Sequence, residues 1–166
     1  MSETLQQRCL AISVLVMDVD GVLTAGGIVQ GGSDMELKAF HVRDGAGLAA
    51  WHRAGRLSAI VTGRQSSAVE VRAAELNVGL VAQGASDKDA TLARLLAELG
   101  VGVEAVCYIG DDLADLGPMR RCRLAAAVAD ACPEARAVAH YVSQRPGGQG
   151  AVREVIELIL RCQGRW

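Results

Sequence analysis

The sequence predicts an α/β fold, a three-layer sandwich in which helices cover both faces of a central parallel sheet. Short apolar runs rich in β-branched residues alternate with longer helical segments, an alternation that is typical of parallel sheets. Residues suited to cap helices stand between these segments. With 166 residues, 51% of them hydrophobic, the chain can bury one full core, and we expect residues 1–166 to form one domain.

The predicted elements follow one another in a regular order. The strands are the apolar runs Ile12–Met17, Leu57–Val61, Gly79–Val81, Ala105–Ile109 and Leu124–Val128. The helices between and after them are Gly45–Ala54, Ser67–Leu76, Lys88–Leu99, Leu113–Arg121 and Ala151–Cys162. Pro133 suits the first turn of a further short helix, which leads to Tyr141-Val142.

Polar residues and glycines mark the ends of two of these helices. Asp44 and Asp87 each stand directly before a helix, where a carboxylate can accept hydrogen bonds from the first free backbone N–H groups. Gly55 and Gly100 lie just past the ends of the same two helices, where glycine tolerates the left-handed conformation that often ends a helix.

The segment between Thr24 and Asp44 does not fit this alternation. Ile28–Gln30, the pair Gly31-Gly32 and Leu37–Phe40 predict a glycine-turned β-hairpin, over about residues 25–40, that projects from the sheet. A two-stranded hairpin is marginally stable by itself. We therefore expect it to pack against another subunit.

Composition excludes several classes of protein. The formal net charge of −2 gives no reason to expect binding to nucleic acid or to a membrane. No apolar run approaches the ~20 residues that span a bilayer, and the N-terminal residues do not have the pattern of a signal peptide. The five cysteines show neither zinc-site spacing nor a Cys-x-x-Cys motif, so we expect buried thiols in a cytoplasmic protein.

Polar residues follow four of the predicted strands, at the edge where ligands bind in open α/β sheets. In chain order, these residues are Asp18 and Asp20; Thr62, Gly63 and Arg64; Asp87 and Lys88; and Gly110, Asp111, Asp112 and Asp115. Residues two apart in an extended chain point to the same side, so Asp18 and Asp20 can converge on one ion or one substrate atom. Carboxylates leave water only when they are paired, hydrogen-bonded or bound to a cation.

These residue types are suited to phosphoryl transfer. A carboxylate can attack phosphorus and form an aspartyl-phosphate. Mg²⁺ would bridge the negative groups, with Asp18, Asp111 and the backbone carbonyl of Asp20 as candidate ligands. Thr62 could hold phosphate oxygens and Lys88 could neutralise developing charge. Asp20 would then be free to protonate the leaving alkoxide and later to activate water.

Other interpretations of the same residues are structural or belong to another class. Asp-Gly after a strand is often only a turn, and Gly110–Asp112 could simply cap a helix. A response-regulator receiver domain also gathers acidic residues, a Thr and a Lys, but its phospho-acceptor lies on a middle strand. A pseudo-phosphatase that acts as an assembly module would lack a motif residue, whereas all of them are present here.

The ordered set Asp-x-Asp-Gly, Thr, Lys and Gly-Asp-Asp-x-x-Asp resembles the haloacid dehalogenase-like phosphohydrolases. This resemblance implies a Rossmann-like fold with Asp18 as nucleophile and Asp20 as acid and base. It also implies Mg²⁺ bound by Asp18, Asp20 and Asp111, phosphate contacts from Thr62 and Lys88, and support from Asp112 and Asp115 at the edge. Only 41 residues separate Asp20 from Thr62, and 25 separate Thr62 from Lys88, too few for a cap domain. The chain thus resembles the capless members, which close their active sites by oligomerising.

Three further stretches, Glu36–Gly45, Val61–Arg64 and Gly147–Val155, resemble capless phosphatases of phosphorylated eight-carbon keto-deoxy sugar acids. The resemblance implies a role in lipopolysaccharide precursor synthesis and a homotetramer in which the hairpins form a central barrel and a neighbour covers each site. The substrate-binding residues that it implies are Asp20, His41, Val42, Arg43, Asp44, Gly45, Gly63, Arg64, Arg72 and Lys88.

The arginines of this set suit a substrate with both a carboxylate and a phosphate, because Arg can bind either group through two hydrogen bonds. Phosphatases of a nine-carbon keto-deoxy sugar acid 9-phosphate are the closest alternative, and Arg64 after Thr62-Gly63 favours the eight-carbon substrate. The sequence departs from the pattern at Ala49, where relatives can carry a basic residue, and in its short tail after Gly164.

Overall fold

A central six-stranded parallel sheet confirms the predicted α/β architecture. The structure, a computed structural model, describes residues 3–31 and 36–166. Its strands are β1 (Val14–Met17), β2 (Val29–Gln30), β3 (Glu36–Leu37), β4 (Leu57–Val61), β5 (Leu80–Ala82), β6 (Val106–Gly110), β7 (Leu124–Ala127) and β8 (Tyr141–Val142). The sheet has the order β5-β4-β1-β6-β7-β8, and β2 and β3 form a separate antiparallel pair.

Helices follow the strands in the order that the sequence predicts. They are α1 (Leu5–Ala11), α2 (Val42–Arg53), α3 (Ser67–Glu75), α4 (Lys88–Leu99), α5 (Leu116–Arg121), α6 (Pro133–Val138) and α7 (Ala151–Cys162), with 3-10 turns at Val103–Ala105 and Leu113–Asp115. In the part of the chain that the structure describes, none of the helices has the length and apolar character needed to cross a membrane.

The predicted bounds agree with the structure to within three residues, but the predictions omit one helix and assign one N-cap wrongly. Helix α1 was not predicted, although Thr4 and Gln7 form a capping box at its start. Helix α2 begins at Val42, so its N-cap is His41 rather than Asp44. Asp87 does cap α4, since its carboxylate accepts hydrogen bonds from the N–H groups of Asp89 and Ala90, each at 3.0 Å.

The chain reverses direction across the sheet at β1, and this places the ends of three strands side by side. From β1 the chain runs outward through β4 and β5, then returns to β6 on the other side. Met17 is in register with Ile60 of β4 and with Ile109 of β6. The residues that follow these strands therefore meet at a topological switch point, where α/β sheets bind ligands.

The core is built mainly from aliphatic side chains, and all four residues of β1 are buried. All five cysteines are free thiols. Cys9, Cys107 and Cys122 are buried as expected, whereas Cys132 and Cys162 are only partly buried.

A glycine-rich loop before α7 supports the turn that follows β1. The N–H of Gly148 donates to the carbonyl of Val22 at 2.9 Å. A Cβ atom at Gly147 would lie 1.7 Å from the carbonyl oxygen of Gly21, so no other residue fits there without displacing that turn. A Cβ atom at Gly148, whose φ is +64°, would likewise meet the backbone of Thr24 and Ala25, so this turn explains two of the three glycines of the Gly147–Val155 stretch.

The projecting hairpin is present as an antiparallel pair of short strands. Val29 is in register with Leu37, and Gln30 with Glu36. The predicted turn falls partly outside the described residues, because the structure describes Gly31 but not Gly32. Ile28, Val29 and Leu37 are each more than half exposed, which leaves an apolar surface on the hairpin.

We predict that Asp44→Asn destabilises the fold. The buried carboxylate of Asp44 accepts hydrogen bonds from the N–H groups of Gly150 at 3.2 Å and Arg153 at 2.9 Å, which holds α2 against the start of α7. An amide would turn a donor toward one of these donors, at a cost of ~1–3 kcal/mol. Differential scanning calorimetry should show a melting temperature lower by about 2–4 °C for each kcal/mol.

The matched control for this substitution is Glu98→Gln, an exposed carboxylate on α4. The control should melt within about 1 °C of the wild type, because surface substitutions of this kind have small effects. An Asp44→Asn protein that melts like the control would contradict the role of Asp44 in holding α7.

Candidate active site

Asp18 lies directly after the central strand and is bound by Lys88. The Nζ of Lys88 is 2.8 Å from Oδ2 of Asp18, and both side chains are less than a tenth exposed. The N–H of Val19 donates to Oδ1 of Asp18 at 2.7 Å. Lys88 reaches this position because it is the first residue of α4, which Asp87 caps. The structure therefore brings together two of the predicted site residues.

Asp115 is the fully buried acceptor that holds this arrangement. Its carboxylate accepts hydrogen bonds from Lys88 and from the hydroxyl of Tyr108, both at 2.8 Å. It also accepts from the backbone N–H groups of Asp111 at 3.1 Å and Asp112 at 3.3 Å. Both oxygens are thus engaged by protein donors, which agrees with a supporting role at the edge of the site.

Asp111 faces Asp18 across the switch point. Carboxylate oxygens of Asp18, Asp111 and Asp115 lie within 4.8 Å of one another. Gly21 makes room for Asp111, because a Cβ atom at Gly21, whose φ is +92°, would lie 2.1 Å from Oδ2 of Asp111. The glycine of the Asp-x-Asp-Gly motif is therefore required by both close approach and backbone conformation.

Crowding of negative charge raises the pKa of two of these carboxyls. Burial, then repulsion by Asp115, raises the pKa of Asp18 to about 6, although Lys88 opposes the shift. Burial, then repulsion by Asp115 and Asp18, raises the pKa of Asp111 to about 7. Burial lowers the pKa of Lys88, but its two carboxylate partners outweigh burial and raise it overall. The site therefore carries more negative charge than Lys88 neutralises.

These residues fit a hard divalent cation. Oδ1 of Asp111 is buried and has no hydrogen-bond partner among the described residues. Asp18 and Asp111 offer carboxylate oxygens of the kind that Mg²⁺ prefers, at a spacing that one ion can bridge. The carbonyl of Asp20 as a third ligand stays a prediction.

Thr62 and Gly63 lie at the end of β4, beside the same switch point. Thr62 is buried, and its backbone is fixed by hydrogen bonds from its N–H to Ala82 at 2.9 Å and from Ala85 to its carbonyl at 3.0 Å. Gly63 is exposed. This backbone is held on both sides, which suits the predicted contact of Thr62 with phosphate oxygens.

Asp20 contacts Lys38, which follows β3 and is not among the predicted site residues. Lys38 donates a hydrogen bond to Oδ1 of Asp20, and its Nζ lies 3.0 Å from Oε1 of Glu36. Arg64 pairs with Glu36, and its Nε is 3.9 Å from Oδ2 of Asp20. The sequence contains one indication that Lys38 is special. Lys38 and Lys88 are its two lysines, whereas all its other Lys or Arg positions carry arginine.

Within the segment His41–Gly45, the structure shows contacts that stabilise the fold, and the predicted substrate contacts of the segment stay predictions. Nδ1 of His41 accepts a hydrogen bond from the N–H of Arg43 as the N-cap of α2. Asp44 is buried and bound to the backbone of α7, so its carboxylate is not free for a substrate. Gly45 is buried where a Cβ atom would lie 2.8 Å from Nη2 of Arg72. Val42, in contrast, is 79% exposed.

Arg43 and Arg72, two of the predicted substrate contacts, lie at different pockets. Arg72 stacks over the ring of Phe40 at 5.7 Å and pairs with Glu75 at 2.8 Å, at one side of a groove between the hairpin and α3. Arg43 lies with Arg145 and Arg153 at a separate pocket that Tyr141 also lines. The structure therefore does not gather all the predicted basic residues around one cavity.

Comparison with known proteins gives a family for this geometry. A model of the haloacid dehalogenase-like hydrolases matches residues 80–156. The 3-deoxy-D-manno-octulosonate 8-phosphate phosphatase KdsC of Yersinia pestis is 46% identical over 159 residues, which cover 96% of this chain and 85% of that protein.

Solved structures of phosphatases with this activity have the same fold. The enzyme from Moraxella catarrhalis, in complex with magnesium, phosphate and KDO, has a TM-score of 0.93 and 43% identity, covering 96% of this chain and 91% of that one. The cobalt-bound enzyme from Haemophilus influenzae has a TM-score of 0.92 and 36% identity, covering 95% and 92%.

We predict that Asp111→Asn makes the metal-free protein relatively more stable as the pH rises. The folded pKa of Asp111, about 7, lies above the usual aspartate value of 3.8, so the folded state binds more protons between these values. Its contribution to stability is therefore present at low pH and is lost as the pH rises through 7. Melting temperatures between about pH 5 and pH 8, measured with a chelator, should fall more steeply for the wild type than for Asp111→Asn.

Added Mg²⁺ provides the control for this prediction. Binding to the folded state should raise the melting temperature of the wild type at about pH 8 and leave Asp111→Asn nearly unchanged. Parallel melting curves of the two proteins across the pH range would contradict the charge crowding at Asp111.

Proposed function

The chain belongs to the 3-deoxy-D-manno-octulosonate 8-phosphate phosphatase (KdsC) family of haloacid dehalogenase-like phosphatases, and we propose that it hydrolyses 3-deoxy-D-manno-octulosonate 8-phosphate. The products are the free sugar acid and inorganic phosphate. The observation that carries this proposal is the environment of Asp18, which lies at the switch point of the sheet between Lys88 and Asp111.

Asp18 acts as the nucleophile of the first step. One of its carboxylate oxygens attacks phosphorus, the bond from phosphorus to the sugar oxygen breaks, and an aspartyl-phosphate forms on Asp18. Asp20 gives its proton to the leaving alkoxide. Lys88 holds the attacking side chain in place, and Thr62 binds phosphate oxygens.

Water completes the reaction in a second step. Asp20 takes a proton from the water, the resulting hydroxide attacks phosphorus, and the bond to Asp18 breaks to release phosphate. When bound at Asp18, Asp111 and the carbonyl of Asp20, Mg²⁺ supplies positive charge that offsets the negative charge of phosphate and carboxylates. Asp115 keeps Lys88 and the Asp111 backbone in position through its four hydrogen bonds.

Recognition of the sugar acid is assigned to the rim of the site. Arg64 is the predicted contact with the best placement, because its half-exposed side chain lies beside Asp20. A guanidinium group can bind the substrate carboxylate or phosphate through two parallel hydrogen bonds. His41, Arg43, Gly63 and Arg72 remain proposed contacts. We place the reaction in lipopolysaccharide precursor synthesis in the cytoplasm, in line with five free cysteines.

We further propose that four copies assemble through their hairpins, so that a neighbour covers each active site. The support is the apolar surface around β3: Leu37 is 53% exposed, Val42 79% and Val71 70%. These residues line a groove between the hairpin and α3. Large exposed apolar side chains that share one groove, rimmed by polar residues, are typical of a protein interface.

A panel of phosphorylated sugars and sugar acids, assayed with Mg²⁺, tests the proposed reaction. The eight-carbon 8-phosphate should give a higher kcat/KM than the nine-carbon 9-phosphate and simple hexose phosphates. Asp18→Asn should lower turnover by at least ~10³-fold, because the amide is a poor nucleophile. The variant should melt near the wild-type temperature. Preference for a hexose phosphate would overturn the substrate assignment, and an active Asp18→Asn would overturn the mechanism.

Sedimentation velocity tests the assembly. The wild type should sediment as a tetramer, and Leu37→Asp should shift it to smaller species with lower activity, because a buried unpaired charge opposes association. Leu10→Asp is the matched control, since Leu10 is 54% exposed on α1, outside the groove. A fully active wild-type monomer would overturn the proposal.

A further inference from the structure

The two lysines of the sequence each contact one carboxylate of the Asp18-x-Asp20 motif. Lys88 contacts Asp18, and Lys38 contacts Asp20. All the other basic residues of the chain, apart from three histidines, are arginines. In the proposed mechanism, Lys88 holds the attacking carboxylate of Asp18 in place, whereas Lys38 has no role.

Lys38 holds one oxygen of Asp20 and leaves the other free. Its side chain is only 2% exposed, and its ammonium group donates to Oδ1 of Asp20 while lying 3.0 Å from Glu36. Oδ2 of Asp20 is buried and has no hydrogen-bond partner among residues 3–31 and 36–166. Nε of Arg64 lies 3.9 Å from Oδ2, which is beyond hydrogen-bond distance.

We propose that Lys38 is a positioning residue for the acid–base chemistry of Asp20. By fixing Oδ1, it makes Oδ2 the oxygen that gives the proton to the leaving alkoxide and later takes one from water. The inference rests on the proposed function, because it assumes that Asp20 is the acid and base of a phosphatase. A misplacement of about 1 Å in such a group can reduce the rate by roughly 10²-fold.

The hairpin supplies this residue for a geometric reason. Lys38 directly follows β3, and residues two apart in an extended chain point to the same side, so Glu36 and Lys38 lie together while Leu37 is exposed. Glu36 pairs with Lys38 and with Arg64, which connects the hairpin to the loop after β4. A compact ammonium with three donors can contact Glu36 and Asp20 together, which the planar fork of Arg suits less well.

The choice of leaving group distinguishes a positioning role of Lys38 from a purely structural one. An alkyl phosphate such as the sugar-acid 8-phosphate needs a proton on its leaving oxygen, whereas 4-nitrophenyl phosphate does not. In rapid-quench measurements of the first turnover, Lys38→Met should slow alcohol release by ~10- to 100-fold, and nitrophenol release by less than ~3-fold. The first turnover is chosen because Asp20 serves both substrates in the later hydrolysis step.

Equal losses for the two substrates, or no loss for either, would overturn the inference. Leu10→Ala on α1, outside the hairpin and the groove, is the control, and it should leave the ratio of the two rates unchanged. Lys38→Gln, which keeps an N–H donor near Asp20, replaces Lys38→Met if the latter does not fold, and the same selective loss is expected on a smaller scale.

A double-mutant cycle with Asp20→Asn supplies an independent arm. If Lys38 acts through Asp20, then Lys38→Met should have less than ~2-fold further effect on alcohol release in the Asp20→Asn background. An undiminished effect there would overturn the inference. Should the wild type reject the sugar-acid phosphate, the proposed substrate fails by itself, and both arms are run on the alkyl phosphate that the wild type hydrolyses best.

Discussion

The crowding of three carboxylates, two of them buried and one partly buried, around one ammonium group at the end of the central strand is the constraint on which the rest of the site depends. Asp18, Asp111 and Asp115 lie together, and Lys88 contacts two of them. Three negative charges and one positive charge leave a balance of two negative charges when all four groups are ionised. Such a balance is costly away from water unless a divalent cation offsets it. The pKa values of Asp18 and Asp111 are raised because of this cost.

Asp115 fixes the geometry of this charged cluster. Its two oxygens accept four hydrogen bonds, from Lys88, Tyr108 and two backbone N–H groups of the loop after β6. A fully satisfied buried network of this kind holds its members in one arrangement. The site thus leaves Oδ1 of Asp111 without a donor among the described residues, while the supporting carboxylate of Asp115 is saturated by the protein itself.

Much of the fold could be predicted from the sequence, because strands, helices and caps are encoded by residues close together in the chain. The end of β4 at Val61 and the start of α4 after Asp87 are examples, and both agree with the structure. The errors arise where a side chain has a distant partner. Asp44 looks like an N-cap, yet it binds N–H groups at the start of α7, of residues 106 and 109 positions away. His41 then takes the cap, since the start of α2 still needs an acceptor.

The sequence by itself determined the chemistry of this protein: the order of Asp18, Asp20, Thr62, Lys88 and Asp111 at successive strand ends predicts phosphoryl transfer at one edge of a sheet. Only the tertiary structure decided which groups are occupied and which are free. It saturates Asp115 and Asp44 with protein donors, leaves Oδ1 of Asp111 without one, and brings Lys38 from the hairpin onto Asp20. The physical reason is that the positions of strands along the chain follow from local patterns. Hydrogen-bond partners depend instead on the spatial packing of segments far apart in the chain.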